Sequence, residues 1–486
     1  MKTPLVDLLN NTVPQLIAWC TPSLLHAAPR VNDIYSSCMS ISYTAHGNPE
    51  SPPWSPQSGV FGEAYRLAAE AYWGADYIPN QRHCLFSVNG SSGSNFMVIK
   101  ALKQHFGPDL HILAERNLHK SLSDACEDYH VRLTYLTPQY HPDYQIFIPS
   151  RVEDFVQAFK ADPSINVVLT SNPTYDGFVL DMPRLVRELR AIRDVIFYVD
   201  EAWGSNFYFS EGLQPPNALQ SGVDISVIST HKQGGTLQQT GVILWRDAPW
   251  MIDKEAMFYA YRTLLTTSPS WSLLASIDAG RAYLQAYGQE IIAQNIAVAD
   301  FLKSELEGYA HIVDVENVRA GGSLDVIGMD RTKILLDLSN SGISGNQLAQ
   351  RLERRGIVTE RSGQKHILLL VPFQRTMEDA AQTAKIMRSI IRVLTRQELP
   401  YMPDTPTHFY KVKEPYEVGA VELVPLTDAA GRVCGENITP YPPGVPLVMK
   451  GERFDAEHAD YIRYLSRIGS TVLMYDETCQ HVLVEK

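Results

Sequence analysis

Lys232 closes the run Ser229-Thr230-His231-Lys232, and Asp200 ends the apolar run Val195-Ile196-Phe197-Tyr198-Val199, 32 positions earlier. A primary amine and a carboxylate, each at the end of a short strand-like run, suit an aldehyde cofactor such as pyridoxal phosphate. The amine would hold the aldehyde as a Schiff base. The carboxylate would keep the pyridine nitrogen protonated, so that the ring can accept the electron pair of a bond broken at a substrate α-carbon. Gly234-Gly235 leave room for backbone to approach a bound group, and partial desolvation would lower the pKa of the amine. Alone, a lysine after a strand is most often a surface residue, and an aspartate there is as often a helix N-cap. Their positions on two different strands are what couples them.

Two further loops supply what such a cofactor needs. Asn89-Gly90-Ser91-Ser92-Gly93-Ser94-Asn95 lies between a strand and a helix start, where backbone amides and hydroxyls form a phosphate cup. Arg116-Asn117-Leu118-His119-Lys120-Ser121 places an imidazole after the next strand. Lone histidines are more often hydrogen-bonded loop residues, but one lying flat on a cofactor ring can exchange protons with the reacting atoms. The six cysteines are far apart and form no Cys-x-x-Cys or zinc-spaced set, so no metal is expected and reduced thiols in a cytoplasm are.

The elements that must position these residues alternate in the manner of an α/β protein. Strand-like runs occur at Cys84–Val88, Leu110–Ala114, Arg132–Leu136, Asn166–Leu169, Val195–Val199, Ile225–Ile228 and Gly241–Trp245. Several are apolar at consecutive positions, as strands covered on both faces require. Ser91, Ser92, His119, Asn172, Asp200, His231 and Lys232 all fall just beyond their carboxyl ends, where ligands bind in such sheets. The expected organisation is an N-terminal arm over 1–58, with little regular structure of its own, and a large domain over 59–290. A small α/β domain over 291–398 and a C-terminal domain over 399–486 follow, with Pro403 and Pro406 marking the linker.

A formal charge of −12 disfavours nucleic acid and anionic membrane surfaces as partners. Residues 1–20 make a poor signal peptide, and no stretch approaches a membrane span, so a cytoplasmic location is expected.

Across residues 59–460 the sequence resembles the pyridoxal-phosphate-dependent ornithine/lysine/arginine decarboxylases of the aspartate-aminotransferase fold. The resemblance rests on Asn89-Gly90-Ser91-Ser92, the Arg116–Ser121 segment, Ser171-Asn172-Pro173-Thr174-Tyr175-Asp176-Gly177 and Asp200-Glu201-Ala202-Trp203-Gly204. Ser229-Thr230-His231-Lys232, Thr267-Ser268-Pro269-Ser270 and Pro440-Tyr441-Pro442-Pro443-Gly444-Val445-Pro446 complete it. It implies a large domain built on a mostly parallel seven-stranded sheet, with a smaller α/β segment and a C-terminal α+β domain.

By the same resemblance Lys232 forms the Schiff base, Asp200 pairs with the pyridine nitrogen and His119 stacks on the ring. Ser91, Ser92, Ser229 and His231 hold the phosphate region, and Ala202 and Trp203 touch the ring and its hydroxyl. The site would lie at the interface of a homodimer or larger homo-oligomer, with Ser268 reaching the phosphate of the neighbouring subunit. Glu436 and Glu452, beside the proline-rich motif, are candidates to meet a cationic substrate tail.

One departure is clear. The family carries a His-x-Pro-Gly-His-Lys-like segment near its N-terminus, and Trp19-Cys20-Thr21-Pro22-Ser23-Leu24-Leu25-His26 lacks it. The receiver-like wing domain of the large inducible enzymes is also missing, so their high-order assemblies are not expected. The expected activity is α-decarboxylation of a basic amino acid, arginine ahead of lysine and ornithine. The alternative is oxidative decarboxylation or deamination, in which the same carbanion reacts with dioxygen. An aminotransferase and a catalytically dead scaffold are weaker readings; the retained Lys232, Asp200 and His119 speak against the second.

Overall fold

The computed structural model describes residues 16–23, 59–394, 406, 412–413, 418–441 and 443–486. The doubly covered strands form the middle of an eight-stranded sheet. Its order is Val412–Lys413, Arg132–Leu136, His111–Glu115, Val167–Ser171, Ile196–Asp200, Ile225–Ile228, Gly241–Arg246, Arg82–Ser87. The five strands from Arg132–Leu136 to Ile225–Ile228 are parallel, and Gly241–Arg246 runs antiparallel to both its neighbours.

Consecutive apolar residues serve opposite faces. Ile196 and Tyr198 enter one core, Phe197 and Val199 another, and on the neighbouring strand Val167 and Leu169 divide from Val168 in the same way. Parity therefore puts Asp200 on the Tyr198 face, towards the helix Gly90–Phe106. All seven expected strands are present. The eighth, Val412–Lys413, is a short antiparallel edge pairing with Leu133 and Thr134, and it has no apolar run to announce it.

The small unit combines the helices Gly345–Glu353 and Met377–Leu394 with a sheet. Its four strands, His311–Val313, Lys333–Asp337, His366–Leu370 and Arg361–Ser362, are all paired antiparallel. The helix Trp271–Leu306 runs through the boundary expected at residue 290. Its Leu274, Ile277, Ile292 and Ile296 pack in the core of the large unit, while Val298, Ala299, Leu302 and Leu306 pack in the small one. The C-terminal unit has its own core around Ile438, Phe454, Ile462 and Val482. No helix among the described residues is long and apolar enough to cross a membrane.

Of the arm, residues 1–15 and 24–58 lie outside the described residues, as do Pro403 and Pro442. The described part is more ordered than expected. Ile17–Trp19 adds a parallel strand beside Ile357–Thr359, and Trp19, fully buried, donates from Nε1 to Thr383 Oγ1 at 2.9 Å. A strand of this length pairs only where a partner edge and an anchoring side chain are both supplied by the fold.

The C-terminal unit docks on the large one through a buried ion pair. Arg116 donates from Nε and Nη2 to both carboxylate oxygens of Glu452, at 3.2 and 2.7 Å, and from Nη1 to the Pro446 carbonyl at 2.8 Å. Breaking one side leaves a buried unpaired charge, so Glu452→Gln is expected to destabilise this docking by about 3–5 kcal/mol. A lowered denaturant midpoint for the C-terminal unit would be the measurement. A double replacement, Arg116→Met with Glu452→Leu, is expected to recover most of the loss, because no lone charge remains.

Candidate active site

At the carboxyl ends of the parallel strands lies a cavity of about 700 Å³, whose walls include Ser91, His119, Asp200, Trp203, Ser229 and Lys232. The geometry brings together what the sequence places on separate loops. Lys232 sits in the single helical turn Thr230–Gln233 that follows Ile225–Ile228, ended by Gly234 N donating to Thr230 O at 2.7 Å. Its Nζ lies 4.0 Å from the centre of the Trp203 ring. Burial lowers its pKa to about 8, against the opposing pull of the Asp200 and Glu360 carboxylates, while nearby Lys333 adds to the lowering. An amine so placed exchanges protons near neutrality.

Asp200 is 4% exposed and ends its strand facing the cavity. Its Oδ1 accepts from Ala202 N at 3.2 Å, and its Oδ2 accepts from Asn95 Nδ2 at 3.4 Å. Burial nevertheless raises its pKa, against the opposing effect of the Lys232 charge and of these two donors. The adjoining Glu201 points away from the cavity, fully buried. It accepts from Tyr208, Ser226 and Ala218, and burial raises its pKa to about 8.

His119 caps the helix Lys120–Asp128, its Nδ1 accepting from Ser121 N at 3.2 Å. Burial, with Lys232 and Lys120 nearby, lowers its pKa to about 3, so the ring is neutral. The proline-rich motif closes over it. Lys120 N donates to Gly444 O at 2.7 Å, and Gly444 has φ +83°; a side chain there would begin 3.1 Å from the His119 ring.

On the other side, Ser91 and Ser92 stand at the N-terminus of Gly90–Phe106, and Ser229 Oγ donates to Ser91 Oγ at 2.7 Å. His231 is locked by a 2.6 Å bond from Nδ1 to the Thr240 carbonyl, and burial lowers its pKa to about 4. Hydroxyls, a helix N-terminus and a fixed imidazole beside an amine and a buried carboxylate form a donor set that fits an aromatic aldehyde phosphate.

The remaining candidates sit elsewhere. Ser268 is exposed and does not line the cavity of its own chain. Glu452 is occupied by Arg116, and Glu436 accepts from the backbone N–H of Tyr475 and Leu483 at 2.5 and 2.8 Å, a brace between strands. Neither glutamate reaches the cavity, because each carboxylate satisfies donors inside the C-terminal unit or at its docking face. Asn172 is buried, its Oδ1 accepting from Leu180 N at 2.9 Å.

In their place the structure supplies Glu360, absent from the sequence reading. It directly follows the strand Ile357–Thr359 and lines the cavity. Its oxygens accept from Tyr175 Oη at 2.8 Å and from Thr21 N at 2.9 Å. Both donors are neutral, and among the described residues no cation lies within salt-bridge distance of Glu360. Thr21 and Pro22 of the arm also line the cavity, and Ser23 N donates to the Lys232 carbonyl at 2.9 Å. The only sequence signal for Glu360 is a three-residue apolar run, too short to stand out.

Comparison with known proteins adds the following. Residues 54–321 match the family model described as Orn/Lys/Arg decarboxylase, major domain, and residues 385–474 match the corresponding C-terminal domain. The chain is 31% identical over 421 residues to an arginine decarboxylase of Halalkalibacterium halodurans, covering 85% of this chain and 82% of that one. It is 29% identical over 411 residues to an arginine decarboxylase of Bacillus subtilis, covering 83% and 81%. The solved structure of the E. coli constitutive lysine decarboxylase superposes with a TM-score of 0.73 at 20% identity, over 100% of this chain and 82% of that chain. At that identity the likeness shows the fold alone.

Proposed function

Because the chain belongs to the ornithine/lysine/arginine decarboxylase family, we propose that it uses pyridoxal phosphate to remove the α-carboxylate of a basic amino acid, arginine foremost. The observation that carries this reading is the convergence of Lys232, Asp200 and His119 on one cavity that the Glu360 carboxylate also lines. The arginine preference is supported by two relatives, 31% and 29% identical, that are named arginine decarboxylases.

The cofactor, when bound, would supply an electron sink for the pair left at the α-carbon as carbon dioxide departs. Lys232 would hold its aldehyde carbon and Asp200 its ring nitrogen. Ser91, Ser92, Ser229 and His231 would hold its phosphate, with His119, Ala202 and Trp203 about the ring. Ser268 could contribute only from a neighbouring subunit, so a homodimer is part of the proposal. Asp200, low in solvent and ionised opposite a ring cation, stabilises charge without reorganisation. For the final protonation of the α-carbon, Lys232 is the better donor, since the neutral His119 holds its proton weakly acidic at Nε2. Glu360 would attract the guanidinium or ammonium of the substrate tail.

Glu360→Gln keeps a hydrogen-bond acceptor and removes the charge. It is expected to raise KM for arginine by roughly 10- to 100-fold, about 1.4–2.8 kcal/mol, with a smaller change in kcat. Citrulline, whose tail is neutral, is expected to lose its disadvantage against arginine. Equal losses on both substrates would instead make Glu360 a structural residue.

The reaction itself is tested by incubating the purified yellow protein with arginine, lysine and ornithine, with and without oxygen, and weighing the products by mass spectrometry. One amine per carbon dioxide with no oxygen uptake is the expected result. The oxidative branch draws no support from the relatives; peroxide and an aldehyde or oxo acid would restore it.

A further inference from the structure

Asn95 lies on the first turns of the helix Gly90–Phe106, fully buried, and touches both halves of the site. Its Nδ2 donates to Asp200 Oδ2 at 3.4 Å and to Ser121 Oγ at 3.0 Å, and Tyr198 Oη donates to its Oδ1 at 2.5 Å. Tyr198 is also fully buried, and burial raises its pKa, so its hydroxyl keeps a proton to donate. The Asp200 carboxylate can only accept, which turns the amide nitrogen towards it and leaves the amide oxygen to Tyr198. Both amide hydrogens are then committed, one to Asp200 and one to Ser121.

Ser121 Oγ accepts from Asn95, so its own hydrogen is free for His119 Nδ1, 2.9 Å away. Ser121 N already donates to the same nitrogen at 3.2 Å, so the imidazole carries its proton at Nε2. A run of three hydrogen bonds joins the carboxylate meant for the ring nitrogen to the imidazole meant for the ring face.

We infer that Asn95 is a positioning residue: it holds Asp200 as an acceptor-only carboxylate aimed at the cofactor ring and, through the Ser121 hydroxyl, braces the His119 imidazole with a second donor to Nδ1. This rests on the pyridoxal phosphate reading above. A donor that favours the ionised form opposes the effect of burial on Asp200, and an amide is the only neutral side chain that can serve a carboxylate, a serine and a tyrosine at once.

The test measures equilibrium binding to the apo-protein of two ligands, pyridoxal phosphate and its carbocyclic analogue in which the ring nitrogen is replaced by carbon. Asn95→Leu keeps the volume and removes the amide; Asp200→Asn is the reference variant, and thermal melting of each apo-protein checks the fold. Asn95→Leu is expected to weaken pyridoxal phosphate binding on the order of 10-fold while leaving the analogue within about 2-fold. The double variant is expected to lose little beyond Asp200→Asn alone, since both act on one contact.

Equal losses for both ligands, or additive losses in the double variant, would make Asn95 a packing residue and overturn the inference. If the unaltered protein bound neither ligand, the cofactor reading itself would fall, a result distinct from these. Should Asn95→Leu not fold, Asn95→Ala is read instead on the same two ligands, and equal losses for both would again overturn the inference.

Discussion

Lys232→Ala is expected to abolish the long-wavelength absorbance of the purified protein and to lower kcat/KM for arginine on the order of 10⁴-fold, about 5.5 kcal/mol. The loss is large because one amine carries three tasks. In the proposed reaction it would hold the cofactor, give way to the amine of the substrate and return a proton to the α-carbon. Its pKa near 8 suits the last two, being low enough to free the amine and high enough to reload it at neutral pH. Arginine at this position would keep the charge over Trp203 and is expected to be equally inactive, because guanidinium neither attacks an aldehyde nor gives up a proton there. A retained absorbance band in Lys232→Ala would remove Lys232 from the mechanism and, with it, the proposed function.

Asp200→Asn is expected to lower kcat/KM roughly 10³-fold, about 4 kcal/mol, while making the apo-protein more stable at neutral pH. The two effects have one cause. Burial raises the pKa of Asp200 above that of an aspartate in the unfolded chain. The folded state therefore holds a proton that the unfolded state releases, so this group costs stability as pH rises through the window between the two values. Asparagine removes that cost. It also removes the charge that would keep a pyridine ring protonated, and the attraction that opposes the lowering of the Lys232 pKa. Thermal melting of the apo-proteins from pH 4 to 8, beside turnover of arginine, measures both. If Asp200→Asn turned over normally, the ring nitrogen would need no carboxylate.

Lys232, Asp200, His119 and the Ser91–Ser92 turn were legible because each sits where a strand ends, and strands announce themselves by consecutive apolar residues. The same logic misled at Glu436 and Glu452. Proximity to the proline-rich motif does not fix the direction of a carboxylate. Arg116 and the backbone amides of Tyr475 and Leu483 claimed those charges, partners more than 35 positions away in sequence. Glu360 escaped notice for the converse reason: it becomes a site residue only when the Ile17–Trp19 strand brings Thr21 N to it and Tyr175 closes from the large unit.

The sequence by itself determined the family, seven strands of the sheet and the set of residues proposed to hold an aldehyde phosphate. Residue type and position at a strand end suffice for these, because both are properties of short segments. Only the tertiary structure decided which carboxylates face the cavity, that the arm enters it, and that Asn95 joins Asp200 to His119. Those depend on hydrogen-bond satisfaction among buried groups from distant segments, and a buried donor or acceptor finds its partner in space, whatever the separation along the chain.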